Sequence, residues 1–218
     1  MKKIITIFSL ALFAVACNNK TADTKTSGSD TTNADNTNTA SVEVDSATQM
    51  KNWQEYMTPG PMHQMMAQWD GTWVGDVTMW MPGAPEQKST SLTENKMIMN
   101  GLYQETTHTG NMMGMPFNGK SLMGFDNHKK EFVSTWIDNM GSGIMVMNGT
   151  WDSASKTITF KGNYIDPGTK QNCDMRETFQ IVDDSTQVLQ MFGPDPKTGQ
   201  EMKTMEIRFK RKNKKSLR

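Results

Sequence analysis

Leucine, cysteine and net charge are what this chain is short of. Of its 218 residues only 7 are Leu and 2 are Cys, and 23 basic side chains stand against 23 acidic ones. Zero net charge removes the electrostatic case for a nucleic-acid partner, and two cysteines cannot build a disulfide scaffold. Catalytic signatures are missing as well: there is no Gly-x-Ser-x-Gly elbow, no His-Glu-x-x-His, no phosphate loop and no Cys–His pair at a plausible element boundary. Methionine fills the place of leucine, with 21 residues, so any core here is built largely from flexible thioethers.

The N-terminal segment reads as an address. Residues 1–16 carry a basic start (Lys2, Lys3), an apolar run from Ile4 to Val15 and a small residue, Ala16, before Cys17. That is the layout of a secretory signal peptide, with an apolar run too short to remain as a spanning helix. Ala14-Val15-Ala16-Cys17 resembles a bacterial lipobox, and the resemblance implies cleavage after Ala16 and acylation of Cys17 with palmitate-type chains. Several acyl chains make a lasting membrane anchor. Asn18 stands where an inner-membrane retention signal would place Asp, so attachment to the outer membrane, facing the periplasm, is expected.

Residues 17–47 are Thr, Asn, Asp, Ser and Ala with almost no large apolar side chain, which cannot offset the entropy of ordering. They predict a flexible tether with a span on the order of 30 Å. Export leaves Cys173 without an intramolecular partner, and its strand-like setting predicts a buried structural thiol. The basic residues at 213–218 read as a solvated tail.

Residues 48–212 form the expected folded domain. Met50, Trp53 and Met57, then Met62, Met65, Met66 and Trp69, fall at helical spacing and are split by Thr58-Pro59-Gly60-Pro61. Two short helices follow, each with an apolar face that should lie against something. Beyond Gly71 the pattern turns to about ten short alternating runs: 73–81, 88–100, 102–109, 117–125, 131–138, 143–151, 156–164, 171–182, 186–192 and 201–211. Turn clusters such as Asn100-Gly101, Asp126-Asn127, Asp152-Ser153 and Asp183-Asp184 join them, and no helical crossover intervenes. The fold class is all-β: a single antiparallel up-and-down barrel, because closure best removes exposed edges. Ten strands leave an interior cavity unless loops or the helices plug it.

A period of two assigns the inner faces. Trp73, Val77, Met79 and Met81 share one; so do Gly143, Met145, Met147, Gly149 and Trp151, then Ile158, Phe160, Gly162 and Tyr164, and finally Met205, Ile207, Phe209 and Arg211. Gly71-Thr72-Trp73 with Arg211 on the inward parity resembles the calycin arrangement of lipocalins and nitrobindin-like barrels. That resemblance implies an Arg211 guanidinium against the Trp73 indole, with Gly71 opening the strand.

The folded segment, roughly residues 50–212, also resembles the bacterial family known as domain of unknown function 1579. The resemblance rests on Met57-Thr58-Pro59-Gly60-Pro61-Met62-His63, Trp69-Asp70-Gly71-Thr72-Trp73, Gly114-Met115-Pro116-Phe117-Asn118-Gly119, Gly124-Phe125-Asp126, Trp136-Ile137-Asp138, Asp195-Pro196-Lys197-Thr198-Gly199 and Met205-Glu206-Ile207. It implies a fold and a cellular setting and supplies no activity.

Two constellations compete for a function. Met62-His63-x-Met65-Met66 has thioethers suited to Cu(I), but Met62, Met65 and Met66 share a helix face with Trp69 and His63 points elsewhere, so packing explains them and no metal is expected. A polar set faces the cavity instead: His108 beside Thr106, and Trp136 with Asp138, next to a flexible-looking 110–119 loop. With Met145 and Phe160 these are the candidate ligand-binding residues. Glu105, Asp138 and Glu177 are carboxylates that a barrel interior could bring together. Nitrobindin-like relatives raise heme, but His63, His108 and His128 are the only histidines and none lies late in the chain, so no cofactor is expected. The leading reading is a barrel that binds a small apolar or amphipathic ligand without chemistry. The alternative is a filled barrel acting as an envelope interaction protein, for which an exposed Trp80 would be the contact. An enzyme using His108 would need that imidazole to titrate abnormally in the cavity.

Overall fold

The computed structural model describes residues 44–212. The 1–16 signal segment with Ala16, the lipidation site Cys17, most of the 17–47 tether and the 213–218 tail lie outside the described residues. Two helices, α1 (Ser46–Met57) and α2 (Pro61–Ala67), precede ten strands: β1 (Gly71–Met79), β2 (Gln87–Ile98), β3 (Tyr103–Met112), β4 (Met115–Asp126), β5 (Glu131–Asp138), β6 (Met145–Asp152), β7 (Thr157–Ile165), β8 (Asn172–Asp183), β9 (Thr186–Pro194) and β10 (Glu201–Arg211). Every neighbour pair is antiparallel, and β1 pairs with both β2 and β10, which closes the barrel. The expected all-β up-and-down barrel with two leading helices is what forms.

Aspartates make the corners. The carboxylate of Asp126 accepts from the His128 and Lys129 amides, Asp152 from Ala154, Asp166 from Thr169, Asp183 from Ser185, and Asp195 from Lys197 and Thr198. Each such turn supplies a partner for amides that the ladder has released. These hydrogen bonds, led at Asp152 by one from the Ser155 hydroxyl, also hold the same carboxyls below the usual carboxylate range.

Three boundaries differ from expectation, each for a local reason. The 110–119 stretch is not a loop: β3 and β4 run on to a two-residue turn at Met113 (φ 51°) and Gly114 (φ 82°). Both central residues at positive φ match the twist of the flanking strands. β1 stops at Met79, so Met81 leaves the inner face and is exposed. β6 begins at Met145, which puts Gly143 outside the strand.

Helix α2 is the plug. Met66 and Trp69 are buried with Phe132, Met147, Ile158 and Phe160 in the main core cluster. Gln104 of β3, itself buried, donates through Nε2 to Met66 O at 2.8 Å and to Asp70 Oδ1 at 3.0 Å. Asp70 Oδ2 in turn accepts from the Met97 amide. His63 does not point away from this helix's packed side, as its spacing suggested. It is buried, and its Nδ1 accepts from the Gly60 amide at 3.0 Å. Helix α1 departs further, since it buries none of its residues and Met50, Trp53 and Met57 are exposed. An apolar stripe alone does not specify its cover; here Asn127 Nδ2 holds the helix end instead, donating to the carbonyls of Glu55, Tyr56 and Thr58.

Beside α2 the barrel seam is locked by Arg211. Trp73 and Arg211 are direct partners across β1 and β10, and the guanidinium carbon lies 4.2 Å from the indole centroid. Arg211 donates from Nη1 to Asp70 O at 2.7 Å, from Nη2 to Gln68 O and from Nε to Asp184 O at 3.0 Å. The Trp73 indole N–H donates to Trp69 O at 2.9 Å. One planar cation thereby satisfies two carbonyls where the chain enters the barrel and one in the β8–β9 turn beside it, a role that its fixed fork of donors suits. Gly71, at φ 117°, carries the turn into β1 with Arg211 Nη1 close by.

Candidate functional site

Inward-facing residues that α2 leaves uncovered line one cavity of about 310 Å³. It is closed at the α2 end by the cluster around Met66 and runs toward the opposite rim, where Asn111, Met112, Asp138, Met140 and Met145 stand. The interior is therefore not solid. Its volume lies at the lower end of small-molecule sites, and its composition, mainly apolar with a few converging polar groups, is what such sites need.

All five candidate residues, His108, Trp136, Asp138, Met145 and Phe160, line this cavity. Register explains why three of them meet. His108 pairs with Gly119, and Gly119 pairs with Asp138, so one missing side chain separates the imidazole from the carboxylate. The Trp136 ring fills that space: a Cβ on Gly119 would lie 2.4 Å from Trp136 Cζ2. The indole N–H donates to Asp138 Oδ2 at 2.7 Å, and Asp138 Oδ1 accepts from the Met140 amide at 2.8 Å. His108 sits edge-on to Trp136, with ring centroids 5.2 Å apart, and its Nδ1 is hydrogen-bonded to the Thr93 hydroxyl at 2.8 Å. Met145 pairs with Trp136 across β5 and β6, and Phe160 tucks against Gly149.

The other carboxylates separate. Glu105 points outward to Lys120, 3.5 Å away, whereas Glu177 lines the cavity on β8, paired with Phe160 on one side and Met191 on the other. The signal for it is present in the sequence as a lone charge on the face that carries Met175, Phe179 and Ile181. Burial alone pushes its carboxyl up from 4.5 to about 7, with no hydrogen bond or charge contributing. Burial likewise drives the His108 imidazole down, from 6.5 to about 4. His108 is thus neutral near pH 7, and its hydrogen bond goes to a threonine while that of Asp138 goes to an indole. No acid–base pair of the kind that general catalysis uses is assembled from them. Thr93 and Gln187 also line the cavity without a clear signal in the sequence: Thr93 lies on a face too polar for alternation to mark as inner, and Gln187 shares its face with Leu189 and Met191 while Val188 and Phe192 occupy the other, which leaves no contrast.

Two further residues fall differently from expectation. Cys173 is only half-buried, on β8 opposite Tyr164. Trp80 is half-buried rather than exposed, with the Lys203 ammonium 4.5 Å from its ring centroid.

The family model described as "Protein of unknown function (DUF1579)" matches residues 58–211. Among solved structures, Rv2717c from M. tuberculosis is similar at 10% identity and TM-score 0.55, over 72% of this chain and 100% of that one. The S-type phycobiliprotein lyase CPES from Guillardia theta is similar at 8% identity and TM-score 0.53, over 71% of this chain and 94% of that one. At such identities the likeness is one of fold. A search of curated proteins finds no match.

Proposed function

This chain belongs to the DUF1579 family, and we propose that it is a lipid-anchored envelope protein whose barrel holds a small apolar or amphipathic ligand without chemistry. The observation that carries the reading is the cavity itself: about 310 Å³, sealed at one end by α2 and walled by Met, Phe and Trp. Thioether and aromatic walls adapt to guests of varied shape, while His108, Asp138 and Glu177 supply orientation. A similar fold serves a phycobiliprotein lyase, which is consistent with this barrel serving as a container. The cavity weighs against the alternative of a filled interaction barrel, as does the covering of Trp80 by Lys203.

Anchoring through Cys17 and an outer-membrane, periplasm-facing location belong to the same proposal and rest on the signal-like N-terminus. Native mass spectrometry of the full chain purified from its own envelope tests the binding. A discrete small-molecule adduct is expected, and a bare mass together with no response to added amphiphiles would overturn it. Metabolic labelling with a palmitate analogue, lost in Cys17→Ser, tests the anchor; a soluble, unlabelled wild type would overturn that part.

A further inference from the structure

The charge of the cavity wall narrows the ligand. Two carboxylates, Asp138 and Glu177, and the His108 imidazole are the ionisable groups among the described lining residues, and none of those residues is a lysine or arginine. The basic side chains around it are engaged elsewhere: Arg176 pairs with Glu201 at 2.6 Å and Lys203 with Glu206 at 2.8 Å, while Arg211, stacked on Trp73, spends its guanidinium on the carbonyls of Gln68, Asp70 and Asp184. Glu177 is flanked by Phe160 on β7 and Met191 on β9, neither of which can donate to it. Tyr164 on β7 and Cys173 on β8 are the other titratable groups on these inward faces, and both are neutral when protonated. Deeper in the cavity Gln187 is 2% exposed, and its Nε2 has no hydrogen-bond partner. A buried donor left unmade is costly, so this amide is aimed at something that accepts.

From this geometry we infer that the cavity selects a cationic amphiphile: a protonated amine or similar donor that pairs with Glu177, on an apolar body with an acceptor within reach of Gln187. Carboxylate-headed amphiphiles such as fatty acids are disfavoured, because no lysine or arginine among the described lining residues can pair with a buried anion and the two wall carboxylates repel it once ionised. The inference rests on the ligand-binding reading above and adds the sign of the ligand's charge. It also accounts for a carboxylic acid kept in an apolar wall, since such a group stores a proton that an incoming ammonium displaces. On binding below the carboxyl's own midpoint, the ammonium keeps its protons, Glu177 loses one to solvent, and an ion pair forms.

Decylamine, 1-decanol and decanoate share one alkyl tail and differ in headgroup charge, so titrating the full chain with each near pH 8, read by tryptophan fluorescence, tests the idea. The amine should bind at least about ten-fold more tightly than the alcohol, and decanoate more weakly than either. Within Glu177→Gln the amine should lose its advantage over the alcohol, the two being compared in the same variant. Calorimetry near pH 6 in buffers of different ionisation enthalpy should show proton release with the amine and none with the alcohol. Equal affinity for all three would overturn the charge selection and leave the binding reading standing. Tighter binding of decanoate would overturn it too. No binding of any of them would end both.

Discussion

Replacing Glu177 by Gln keeps the shape of the side chain and removes its ability to ionise, which isolates the consequence of placing a carboxyl in an apolar wall. In the folded chain the carboxyl titrates at about 7 instead of 4.5, with burial as the cause. Below pH 4.5 it is protonated whether folded or unfolded, and its ionisation costs the fold nothing. As the pH rises the unfolded chain ionises first, so stability is lost progressively up to about 7 and is flat above. At about 1.4 kcal/mol per pH unit the wild type should lose about 3 kcal/mol from this group between pH 4 and pH 8. That is a large share of the stability of an ordinary domain. The acid-side contribution of His108 is present in both proteins and cancels in the comparison. Urea unfolding of wild type and Glu177→Gln across pH 4 to 9 measures the difference directly. Glu177→Gln should match the wild type near pH 4 and exceed it by about 3 kcal/mol near pH 8. A difference that does not change with pH, or a variant less stable at pH 8, would refute the argument that burial governs this carboxyl.

Three further outcomes follow from the same geometry. His108 titrates at about 4 rather than 6.5, so stability should fall as pH drops from 6.5 toward 4 by up to about 3 kcal/mol. His108→Phe should lack that loss, and the wild-type imidazole should remain neutral by NMR at pH 5. Gly119→Ala places a methyl against Trp136 and should cost about 1 to 3 kcal/mol, with a shifted tryptophan emission as the indole leaves Asp138; an unchanged spectrum would count against the packing described. Arg211→Ala strips three carbonyls of their donor and uncovers Trp73, for an expected loss of about 2 to 4 kcal/mol in urea unfolding. Arg211→Lys should recover only part of it, because an ammonium cannot span the same three oxygens.

Strand number, antiparallel order and most inner faces follow from local rules, because the pleat alternates every residue and an Asp corner carries its own hydrogen-bond acceptor. Alternation alone puts Met145, Phe160, Ile207 and Arg211 on inner faces, whereas the match of Arg211 to Trp73 comes from the calycin resemblance, which closure makes possible by bringing the first and last strands together. The cavity's polar groups were only half visible. Glu177 interrupts an otherwise apolar face and could be suspected of lying inside, but nothing local says that Glu105, on β3, turns out to Lys120 instead. Thr93 and Gln187 sit in runs where polar residues occupy both faces, so alternation carries no contrast there.

What the sequence by itself determined is the chain's grammar: ten strands and their turns, with methionine as the filling. Only the tertiary structure decided which end of the barrel α2 closes, that the apolar stripe of α1 stays uncovered, and that His108, Trp136 and Asp138 share one wall. Inner or outer is set within each strand by the pleat, whereas neighbours around and across a barrel depend on the accumulated register of every strand pair between them. Gly119 opening space for the Trp136 indole follows from the β4–β5 hairpin alone, whereas bringing Glu177 of β8 into the same cavity takes the register of every pair between.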